Sequence, residues 1–578
     1  MLTKLVIENF KRFERAEIEL GDAVVLIGPN NSGKTSALQA LALWQLGVRK
    51  WTERRGGKSA PQQRSGVAIN RKDLIALPVP EANLLWRDLH LQDTKLVDGK
   101  KKTVKVRIRI TVEGVTDDRP WTCGLEFRHA NEESFHCAPI PPEGGAAASP
   151  EIAREAAAVR VAFLPPMSGL AANETRLPEG AIEVRIGEGR TADVLRNLCY
   201  RLAHEGEDRT GWEQVVSRIE SLFGIRLHPP EFLPERGEIE MDYTDPSSGA
   251  RLDISCAGRG LHQTLLLLAY LQANPRSVLL LDEPDAHLEI LRQRQTYALI
   301  TATARAQESQ VIAASHSEIV LNEAAGRDVV IAFVGSPHRV DDRNAQVRKA
   351  LRDIGFEAYI QAEIKGWVLY LEGSTDLSIL QEFARILDHP AGRLLDGPFV
   401  HYVANQPQRA REHFFGVCEA KPDLVGVALF DRLESESLRE NALAERMWSR
   451  REIENYLFLP DVLRRYARHA AKERAGGPLF EELEISKSVK AMEECLGGFI
   501  PRFAMVEPQN DWWRNQKASD ELDRIFERYF AELKLPNLIR KTHYHVLAQY
   551  LRREEIDPEV SRILDAIVEV AGRAKPRA

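Results

Sequence analysis

A short glycine-rich segment near the start of the chain limits the fold most strongly. Residues 28–35 read GPNNSGKT, with the spacing GxxxxGK[ST], and they follow the apolar run AVVLI at 23–27. The residues that come next, SALQALALWQL, have the apolar periodicity of a helix. A loop between a buried strand and a helix turns backbone N–H groups and the helix N-terminus toward phosphates. The sequence therefore predicts an α/β ATP-binding domain.

The loop and a later strand supply the expected nucleotide ligands. Lys34 is expected to reach the β- and γ-phosphates, and Thr35 to ligate Mg²⁺. A second buried strand within SVLLLDEPDAHLE, at 277–289, ends in Asp282 and Glu283. We expect Asp282 to help hold the magnesium ion and Glu283 to polarise the attacking water. The loop residues predicted to contact the nucleotide are Gly28, Asn30, Asn31, Ser32, Gly33, Lys34 and Thr35.

Composition sets the broad class of protein. A length of 578 residues favours two or three domains, and the 44% apolar and 28% charged content is that of a soluble globular protein. Six scattered cysteines without a CxxC pair fit a reducing cytoplasm and argue against structural zinc. No apolar run is long enough to cross a bilayer, and the N-terminus lacks a signal peptide. We therefore expect a cytoplasmic protein without membrane contact.

Two basic segments are candidates for binding nucleic acid, although the net charge is −7. RKWTERRGGK at 49–58 reads as a loop. KKKTVKVRIRI at 100–110 alternates, which predicts a strand with Lys105, Arg107 and Arg109 on one face. Taken alone, each segment is more readily explained as a solvated surface, because phosphate binding needs a local basic patch that sequence alone does not define.

Three further motifs follow the phosphate loop in order. They read SCAGRGLHQ at 255–263, PDAHL at 284–288 and AASHS at 313–317. They resemble the signature, D-loop and switch-histidine motifs of ABC-type ATPases of chromosome maintenance and DNA repair, although the first departs from the common LSGGQ. The resemblance implies that Ser255 and Gly258 act as signature residues and His316 as the switch histidine.

This resemblance also implies an organisation for the N-terminal half. Residues 1–345 would form the ATPase domain, with an insertion at about 50–160 that contains the cationic segment. Amphipathic helices at about 190–230 are a candidate dimerisation element, with coupling within the domain as the alternative. The segment 161–180 lies where such ATPases carry a glutamine loop, yet it offers no clear glutamine ligand. In this family the signature of one subunit closes over ATP held by another, so the resemblance implies a homodimer or higher oligomer with Ser255 acting in trans.

A second set of acidic residues follows the ATPase motifs. VLYLEGSTD at 368–376 predicts a strand that ends in Glu372, with Asp376 in the first turn of the next helix. LVGVALFDRLE at 424–434 predicts another buried strand, ending in Asp431. Carboxylates at the carboxyl ends of parallel strands can hold divalent metal ions for phosphodiester chemistry. Taken singly, each has a structural alternative: Asp376 as a helix N-terminal charge, and Asp431 as an ion-pair partner of Arg432.

These residues resemble a Toprim domain, and an ABC-type ATPase followed by Toprim resembles the OLD family, which includes Gabija-type defence nucleases. The resemblance implies a Rossmann-like Toprim core at 346–460 and a mainly helical part at 461–578. It adds Glu454, in RREIENYLF, as a metal ligand ahead of Glu452, and Lys541 as a cation for the phosphate. Leu433 departs from the family's Asp-x-Asp pattern, and Glu434, one residue later, could substitute from a distorted strand end. The implied metal ligands are Glu372, Asp376, Asp431, Glu434 and Glu454.

The resulting prediction is an ATP-binding DNA endonuclease that depends on Mg²⁺ or Mn²⁺. The resemblance further implies a role in defence against phage or mobile DNA, with a helicase-like partner. The first alternative is an ATP-switched DNA sensor or scaffold whose Toprim domain is inactive, as Leu433 suggests. A topoisomerase- or primase-like enzyme is disfavoured because neither a nucleophilic-tyrosine domain nor a primase zinc motif is evident. An ABC transporter subunit is disfavoured by the attached acidic domain.

Overall fold

Two six-stranded sheets flank the helix that follows the glycine-rich loop. In the computed structural model, Met1–Arg348 form unit one and Lys349–Ala578 form unit two. The structure describes the chain except residues 56–65, 78, 98–99, 141–151, 168, 172, 206–208, 246, 326, 341–354, 435–437, 476–477, 508–509 and 578, and the side chains of 55, 95–97, 100–102 and 478–480.

Unit one contains most of the strands. They are β1 (Leu2–Phe10), β2 (Phe13–Glu19), β3 (Ala23–Ile27), β4 (Val67–Asn70), β5 (Gln92–Val97), β6 (Lys100–Lys105), β7 (Ile108–Thr116), β8 (Arg119–Asn131), β9 (Ser134–Pro139), β10 (Val161–Leu164), β11 (Arg226–Leu227), β12 (Glu231–Leu233), β13 (Glu238–Glu240), β14 (Asp242–Thr244), β15 (Arg251–Asp253), β16 (Val278–Asp282), β17 (Gln310–Ser315), β18 (Val329–Ala332) and β19 (His338–Arg339). Its α-helices are α1 (Lys34–Arg55), α2 (Arg154–Ala158), α3 (Glu179–Gly187), α4 (Leu195–His204), α5 (Thr210–Phe223), α6 (Arg259–Ala273), α7 (Ile290–Ala306) and α8 (Glu318–Ala324).

The strand order places the nucleotide motifs at one edge of a mostly parallel sheet. That sheet has the order β10-β16-β17-β3-β18-β19, and all neighbouring strands in it are parallel except the pair β18 and β19, which run antiparallel to each other. Its central strands β3, β16 and β17 are buried along their whole length, which explains their continuous apolar runs. Their carboxyl ends lead into the glycine-rich loop, Asp282 and His316 respectively. The fold therefore gathers motifs that are far apart in the sequence.

The second sheet of unit one is antiparallel, in the order β2-β1-β7-β8-β9-β4. The segment expected to form an insertion at about 50–160 thus contributes four strands to the sheet that begins with β1. Helix α1 packs against both sheets in a single apolar core. Helices α4, α5 and α6, which include the candidate dimerisation element at about 190–230, join a second core on the other side of the parallel sheet.

The basic segments differ from expectation. The run at 100–110 is not one strand, because β6 pairs with β5 whereas β7 pairs with β1 and β8. Arg107 lies between β6 and β7 and donates to Glu126 at 2.6 Å, and Arg109 lies 3.7 Å from Glu8. The expected continuous row of cations is therefore wrong, and its described arginines are partly neutralised. The run at 49–58 continues α1 as far as Arg55 instead of forming a loop, and its last three residues lie outside the described part.

Unit two is built on four parallel strands in the order β21-β20-β22-β23. The strands are β20 (Trp367–Leu371), β21 (Val400–Tyr402), β22 (Val425–Phe430) and β23 (Leu443–Met447). The helices are α9 (Phe356–Lys365), α10 (Ser374–Leu387), α11 (Ala391–Leu394), α12 (Pro407–Ala420), α13 (Pro460–Arg474), α14 (Pro478–Phe499), α15 (Arg502–Val506), α16 (Asp511–Asn515), α17 (Ala518–Glu532) and α18 (Pro558–Gly572). Short 3-10 helices span Ile453–Tyr456, Lys541–Tyr550 and Arg553–Glu555.

Side chains alternate between two cores of unit two. Leu369 and Leu371 of β20 face a large core that includes α10, α13, α17 and α18. Val368 and Tyr370 face a smaller core with α9 and α12. Because successive strand residues point to opposite sides, a strand covered on both faces must be apolar throughout. Trp513 is buried in the larger core, and its Nε1 donates to the carbonyl of Ala504.

Candidate functional sites

In unit two, β20 and β22 end side by side in acidic residues. Glu372 follows β20, and Asp376 lies in the first turn of α10. The Asp376 carboxylate accepts hydrogen bonds from the backbone N–H groups of Glu372 (3.0 Å) and Gly373 (3.3 Å). The structural alternative for Asp376, a charge at a helix N-terminus, is therefore correct in part, because its carboxylate caps the turn that carries Glu372.

Asp431 follows β22, which is the neighbour of β20. The charge of Glu372 raises the pKa of its carboxyl group, and its Oδ1 accepts from the backbone N–H of Ile453 at 3.2 Å. This hydrogen bond places the 3-10 helix Ile453–Tyr456, and with it the buried Glu454, beside the strand ends. Arg432 does not pair with Asp431, because its side chain reaches the carbonyl of Ser449.

The four carboxyl groups influence one another electrostatically. Burial, together with the charges of Glu372, Glu454 and Asp376, raises the pKa of Asp431 to about 9. Burial, with the charges of Glu452, Asp376 and Glu372, raises the pKa of Glu454 to about 8. Burial and the charge of Glu372 raise the pKa of Asp376 to about 6. Mutual repulsion of this kind is relieved when a cation binds.

We call Glu372, Asp376, Asp431 and Glu454 the carboxylate cluster. Its donors are hard oxygens, the type that Mg²⁺ and Mn²⁺ prefer. Among the residues that the structure describes, no group of three or more His, Cys, Asp or Glu side chains has the geometry of a finished metal site. The cluster thus fits divalent cations by donor chemistry and shared charge, whereas the described side chains are not already arranged around an ion.

Three residues of the predicted ligand region stand apart from the cluster. Glu434 is exposed, and its charge is not among the main causes that raise the pKa of Asp431. Leu433 is partly buried, packs against the smaller core of unit two, and its N–H contacts the sulfur of Met447. Glu452 is buried, and its carboxylate accepts from the backbone N–H of Ser519 at the start of α17. Its role in the fold therefore differs from that of Glu454.

One residue near the cluster gave no signal in the sequence. Asn405 follows β21 and accepts a hydrogen bond through Oδ1 from the backbone N–H of Asp431 at 3.0 Å. It has a positive φ of 54°, a conformation that asparagine tolerates better than most residues. The carbonyl of Glu372 accepts from the N–H of Ala404, so this turn links two acidic strand ends. Lys541 begins the 3-10 helix Lys541–Tyr550 and is exposed.

In unit one, the glycine-rich loop closes tightly on its surroundings. A Cβ added at Gly28, whose φ is 158°, would lie 2.7 Å from the carbonyl oxygen of Phe333. A Cβ at Gly33, whose φ is 108°, would lie 2.8 Å from atoms of Arg12 and Phe13. Both positions require glycine for reasons of space, and Gly33 also for its backbone conformation. Asn30 and Asn31 are exposed on the outside of the loop.

The loop holds its polar side chains where phosphates would lie. Lys34 is buried, and its Nζ donates to the carbonyls of Gly28 (2.7 Å) and Pro29 (2.9 Å). Burial lowers the pKa of Lys34, while the charges of Glu283 and Asp282 oppose that shift. The Ser32 hydroxyl oxygen is buried and has no hydrogen-bond partner in the described part of the chain. These groups fit a nucleotide phosphate chain.

The acidic strand end meets the loop directly. Thr35 Oγ1 donates to the carboxylate of Asp282, at 2.9 Å from Oδ2 and 3.1 Å from Oδ1. Burial and the charge of Glu283 together raise the pKa of Asp282 to about 6, against the opposing effect of the hydrogen bond from Thr35. Glu283 Oε1 lies 3.7 Å from His316 Nδ1. Thr35 and Asp282 therefore fit the ligand set of a magnesium ion bound with ATP, with Glu283 and His316 adjacent.

Family models match both parts of this site. A model described as "AAA ATPase domain" matches residues 1–50, and one described as "AAA domain, putative AbiEii toxin, Type IV TA system" matches residues 187–322. These segments contain the glycine-rich loop, Ser255, Asp282, Glu283 and His316. Unit one is an AAA-type ATPase domain. A nucleotide is therefore its ligand.

Solved structures give a broader comparison. The chain is similar to the SMC head domain from Thermotoga maritima, with 16% identity and a TM-score of 0.31 over 59% of this chain and 98% of that one. It is also similar to an SmcHead bound to the C-winged helix domain of ScpA, with 14% identity and a TM-score of 0.33 over 58% of this chain and 97% of that one. A third similar structure is the Smc head domain with an extended coiled coil bound to the C-terminal domain of ScpA derived from Pyrococcus furiosus, with 13% identity and a TM-score of 0.33 over 58% of this chain and 96% of that one. Scores of this size do not assign a fold. No curated protein matches the chain.

The remaining signature residues of the ATPase domain lie before α6. Ser255 is exposed, and its N–H donates to Asp253. Gly258 is the N-cap residue of α6, and a Cβ added there would meet no atom within 4 Å. The described contacts of Ser255 are thus local, and nothing within the described part of one chain requires glycine at 258.

The segment 161–180 contributes β10 and contains no glutamine.

No helix in the described part of the chain combines the length and the apolar character needed to cross a membrane.

Proposed function

We propose that this protein is an ATP-controlled, divalent-metal-dependent endonuclease of the OLD type, in which unit two is a Toprim domain that nicks or cleaves DNA. The observation that carries the proposal is the neighbouring pair of Glu372 and Asp431 at the ends of adjacent parallel strands, where the charge of Glu372 raises the pKa of Asp431. Glu372 is exposed and Asp431 is half-buried, and holding two carboxylates this close together is costly unless a proton or a cation is shared between them. A site for divalent cations at a strand-end crevice accounts for that cost.

Each residue of the carboxylate cluster then has a role. Glu372, Asp376, Asp431 and Glu454 would hold Mg²⁺ or Mn²⁺, with Glu434 as an outer candidate. The bound ions would supply an activated water and neutralise charge on the phosphodiester. Asn405 and the N–H of Ile453 fix the position of Asp431, and Asp376 fixes the turn of Glu372. Lys541 would place a positive charge near a phosphate oxygen.

The ATPase domain would control this activity through self-association. We propose a homodimer in which Ser255 and Gly258 of one copy lie over the glycine-rich loop of the other. The open space around Gly258 supports close approach by a second molecule. The resemblance to OLD-family nucleases further supports a cytoplasmic role in defence against phage or mobile DNA, with a helicase-like partner.

Plasmid nicking tests the endonuclease. Supercoiled plasmid is incubated with the protein and Mg²⁺ or Mn²⁺, and open-circle product is measured. Glu372→Ala should abolish nicking, whereas Glu419→Ala, an exposed acid on α12, should leave it unchanged. Glu283→Gln should retain nicking, because its role is confined to ATP turnover. Equal nicking by the wild type and Glu372→Ala would refute the proposal.

A second candidate function is an ATP-switched DNA sensor with an inactive unit two. The specific observation in its favour is Leu433, which packs on the smaller core where the family pattern has an acid. This candidate predicts DNA binding that depends on ATP, with no nicking in either metal. The plasmid assay therefore separates the two candidates.

A further inference from the structure

A buried arginine of unit one reaches the 3-10 helix Ile254–Cys256, which carries Ser255 and which we call the signature turn. Arg196 lies in the first turn of α4, and its side chain is only 3% exposed. Its Nη2 donates to Oδ1 of Asp253 at 3.0 Å. Asp253 ends β15, and the same Oδ1 accepts from the backbone N–H of Ser255 at 2.8 Å. One carboxylate oxygen therefore connects Arg196 to the signature turn.

The backbone of Arg196 is itself fixed by a buried acid. The carboxylate of Glu174 accepts from the N–H groups of Arg196 (2.8 Å) and Asn197 (2.6 Å). The side chain of Asn197 also donates to the carbonyl of Thr175 at 2.8 Å. The N-terminus of α4 thus joins the segment around Glu174 to the signature turn. These are the contacts of a coupling element within the domain, the alternative to dimerisation for the helices at about 190–230.

The signature turn is also held from α6 and from the chain before β14. Nε2 of the buried His262 lies 2.7 Å from the carbonyl oxygen of Ile254, and the N–H of Ile254 donates to the carbonyl of Met241 at 2.9 Å. Ser255 itself is exposed, and its hydroxyl forms no hydrogen bond within the described residues. A fixed backbone that presents an available hydroxyl suits the binding of an external ligand.

Stability alone does not account for the buried arginine. An arginine taken out of water loses much of its hydration, and apolar residues of similar volume often replace a buried ion pair without loss of stability. The charged partner does strengthen the hydrogen bond to Asp253, whose side chain is 37% exposed and would otherwise bond to water. Arg196 therefore restricts the residue that orients Ser255.

We propose that Arg196, acting through Asp253, is a positioning residue for ATP hydrolysis, which holds Ser255 where its hydroxyl contacts the nucleotide bound by a second copy. The inference rests on the proposed function, which supplies the dimer and the role of Ser255 in trans. A misplacement of about 1 Å can cost about 100-fold in rate, so loss of Arg196 should lower kcat by about 10- to 100-fold. The KM for ATP should stay within about twofold, because the loop that binds ATP is unchanged.

Steady-state phosphate release by the full chain tests the inference. Arg196→Met, which keeps most of the side-chain volume, and Asp253→Ala, at a partly exposed position, should both lower kcat with little change in KM. Arg196→Lys, which keeps the charge, should be more active than Arg196→Met. The matched control is Arg251→Met, which removes the pair with Asp242 (2.7 Å) on the same strand as Asp253 and should leave kcat unchanged. Wild-type kcat in Arg196→Met or in Asp253→Ala would overturn the inference, and Asp253→Ala decides if Arg196→Met does not fold.

Ser255→Ala separates positioning from a general effect on the fold. The double variant Ser255→Ala/Asp253→Ala should have the kcat of Ser255→Ala within about twofold, because Asp253 then has no hydroxyl left to position. Losses that multiply would mean that Asp253 acts elsewhere and would overturn the inference. Unchanged kcat in Ser255→Ala would overturn it together with the role of Ser255 in trans.

Mixed dimers test the action on a second copy. Lys34→Ala removes the phosphate-binding lysine from one copy, and Arg196→Met disturbs the signature turn of the other. The two copies are co-expressed with different affinity tags and isolated together. One site of this dimer combines an intact loop with an intact signature turn, so its hydrolysis should exceed that of either variant by itself. No gain, or no mixed dimer, would contradict positioning in trans.

Plasmid nicking keeps the endonuclease and the positioning role apart. A protein whose kcat falls in Asp253→Ala, but which never nicks plasmid with Mg²⁺ or Mn²⁺, refutes the endonuclease and retains the positioning role of Arg196. A protein that nicks, with wild-type kcat in Asp253→Ala, retains the endonuclease and refutes the positioning role.

Discussion

Thr35 Oγ1 donates a hydrogen bond to the carboxylate of Asp282, at 2.9 Å from Oδ2, across 247 positions of the chain. The bond joins the first turn of α1 to the end of β16. It brings the proposed magnesium ligands of the ATPase domain together, and Glu283 follows at once in the sequence. We propose different tasks for these two neighbouring acids, with Asp282 at the metal and Glu283 at the attacking water.

Glu283→Gln should slow ATP turnover while nucleotide binding remains. A general base contributes about 10²- to 10⁴-fold, so we expect hydrolysis to fall by at least about 100-fold. Phosphate release gives the rate, and fluorescent-nucleotide titration gives the affinity. Glu231→Gln, at an exposed position of β12, is the matched control. Hydrolysis at the wild-type rate would show that Glu283 does not act on the water.

Gly258→Asn should leave the fold intact but impair ATP hydrolysis. A side chain here meets no atom within 4 Å, and asparagine is a good N-cap residue, so the melting temperature should stay within about 1 °C. In the proposed dimer the added side chain lies against the second copy, and hydrolysis should fall at least tenfold. Gly249→Asn, which also meets open space, is the control. Unchanged hydrolysis at all protein concentrations would contradict action in trans.

The stability of unit two should fall as pH rises when divalent cations are chelated. The pKa of Asp431 is raised to about 9 in the folded state, so the folded chain holds more protons than the unfolded chain between about pH 4 and pH 9. Stability therefore declines across that window. Asp431→Asn should raise the melting temperature at pH 8 by about 2 °C or more, measured in EDTA. Asp396→Asn, at an exposed acid, should not.

Adding Mn²⁺ at pH 8 extends this experiment. The ion should stabilise the wild type and do so less in Asp431→Asn, because binding to the folded state alone adds stability. Equal stabilisation of both proteins would place the ion elsewhere, for instance at the ATPase domain.

Leu433→Asp should strengthen nicking with Mg²⁺ relative to Mn²⁺. The substitution restores the acid that the family pattern has at this position, and Mg²⁺ requires nearly complete oxygen coordination. It also places a charge where Leu433 packs on the smaller core, so the melting temperature should fall. Leu433→Asn, which lacks the charge, is the control. A lower Mg²⁺ activity in a folded Leu433→Asp would indicate that the present site works without that ligand.

Glu445→Ala should strongly destabilise unit two. Arg411 donates to both carboxylate oxygens of Glu445, at 2.6 and 2.7 Å, and Glu445 is 2% exposed. Removing one partner of a buried pair leaves the other charge uncompensated, which costs about 3–5 kcal/mol. Chemical denaturation measures this loss. Glu440→Ala, which breaks the exposed pair with Arg446, should change stability by less than about 1 kcal/mol.

Local sequence patterns determined much of this protein. The loop at 28–35 with its flanking strand and helix, the continuous apolar strands, and the helical C-terminal part follow from periodicity and from residues suited to each turn. The positions of the acids at strand ends also follow from the sequence, because a continuous apolar run that stops at an acidic residue indicates where a buried strand ends. These features depend on neighbours within a few positions, which is the range over which side-chain period and backbone preference act.

Only the tertiary structure decided which of these ends meet. The order β21-β20-β22-β23 sets Glu372 beside Asp431, and a distant turn supplies Asn405 to the same strand end. The split of the run at 100–110 likewise depends on pairing with remote segments. Strand order and loop attachment are set by packing free energy summed over the whole unit, so no local pattern records them.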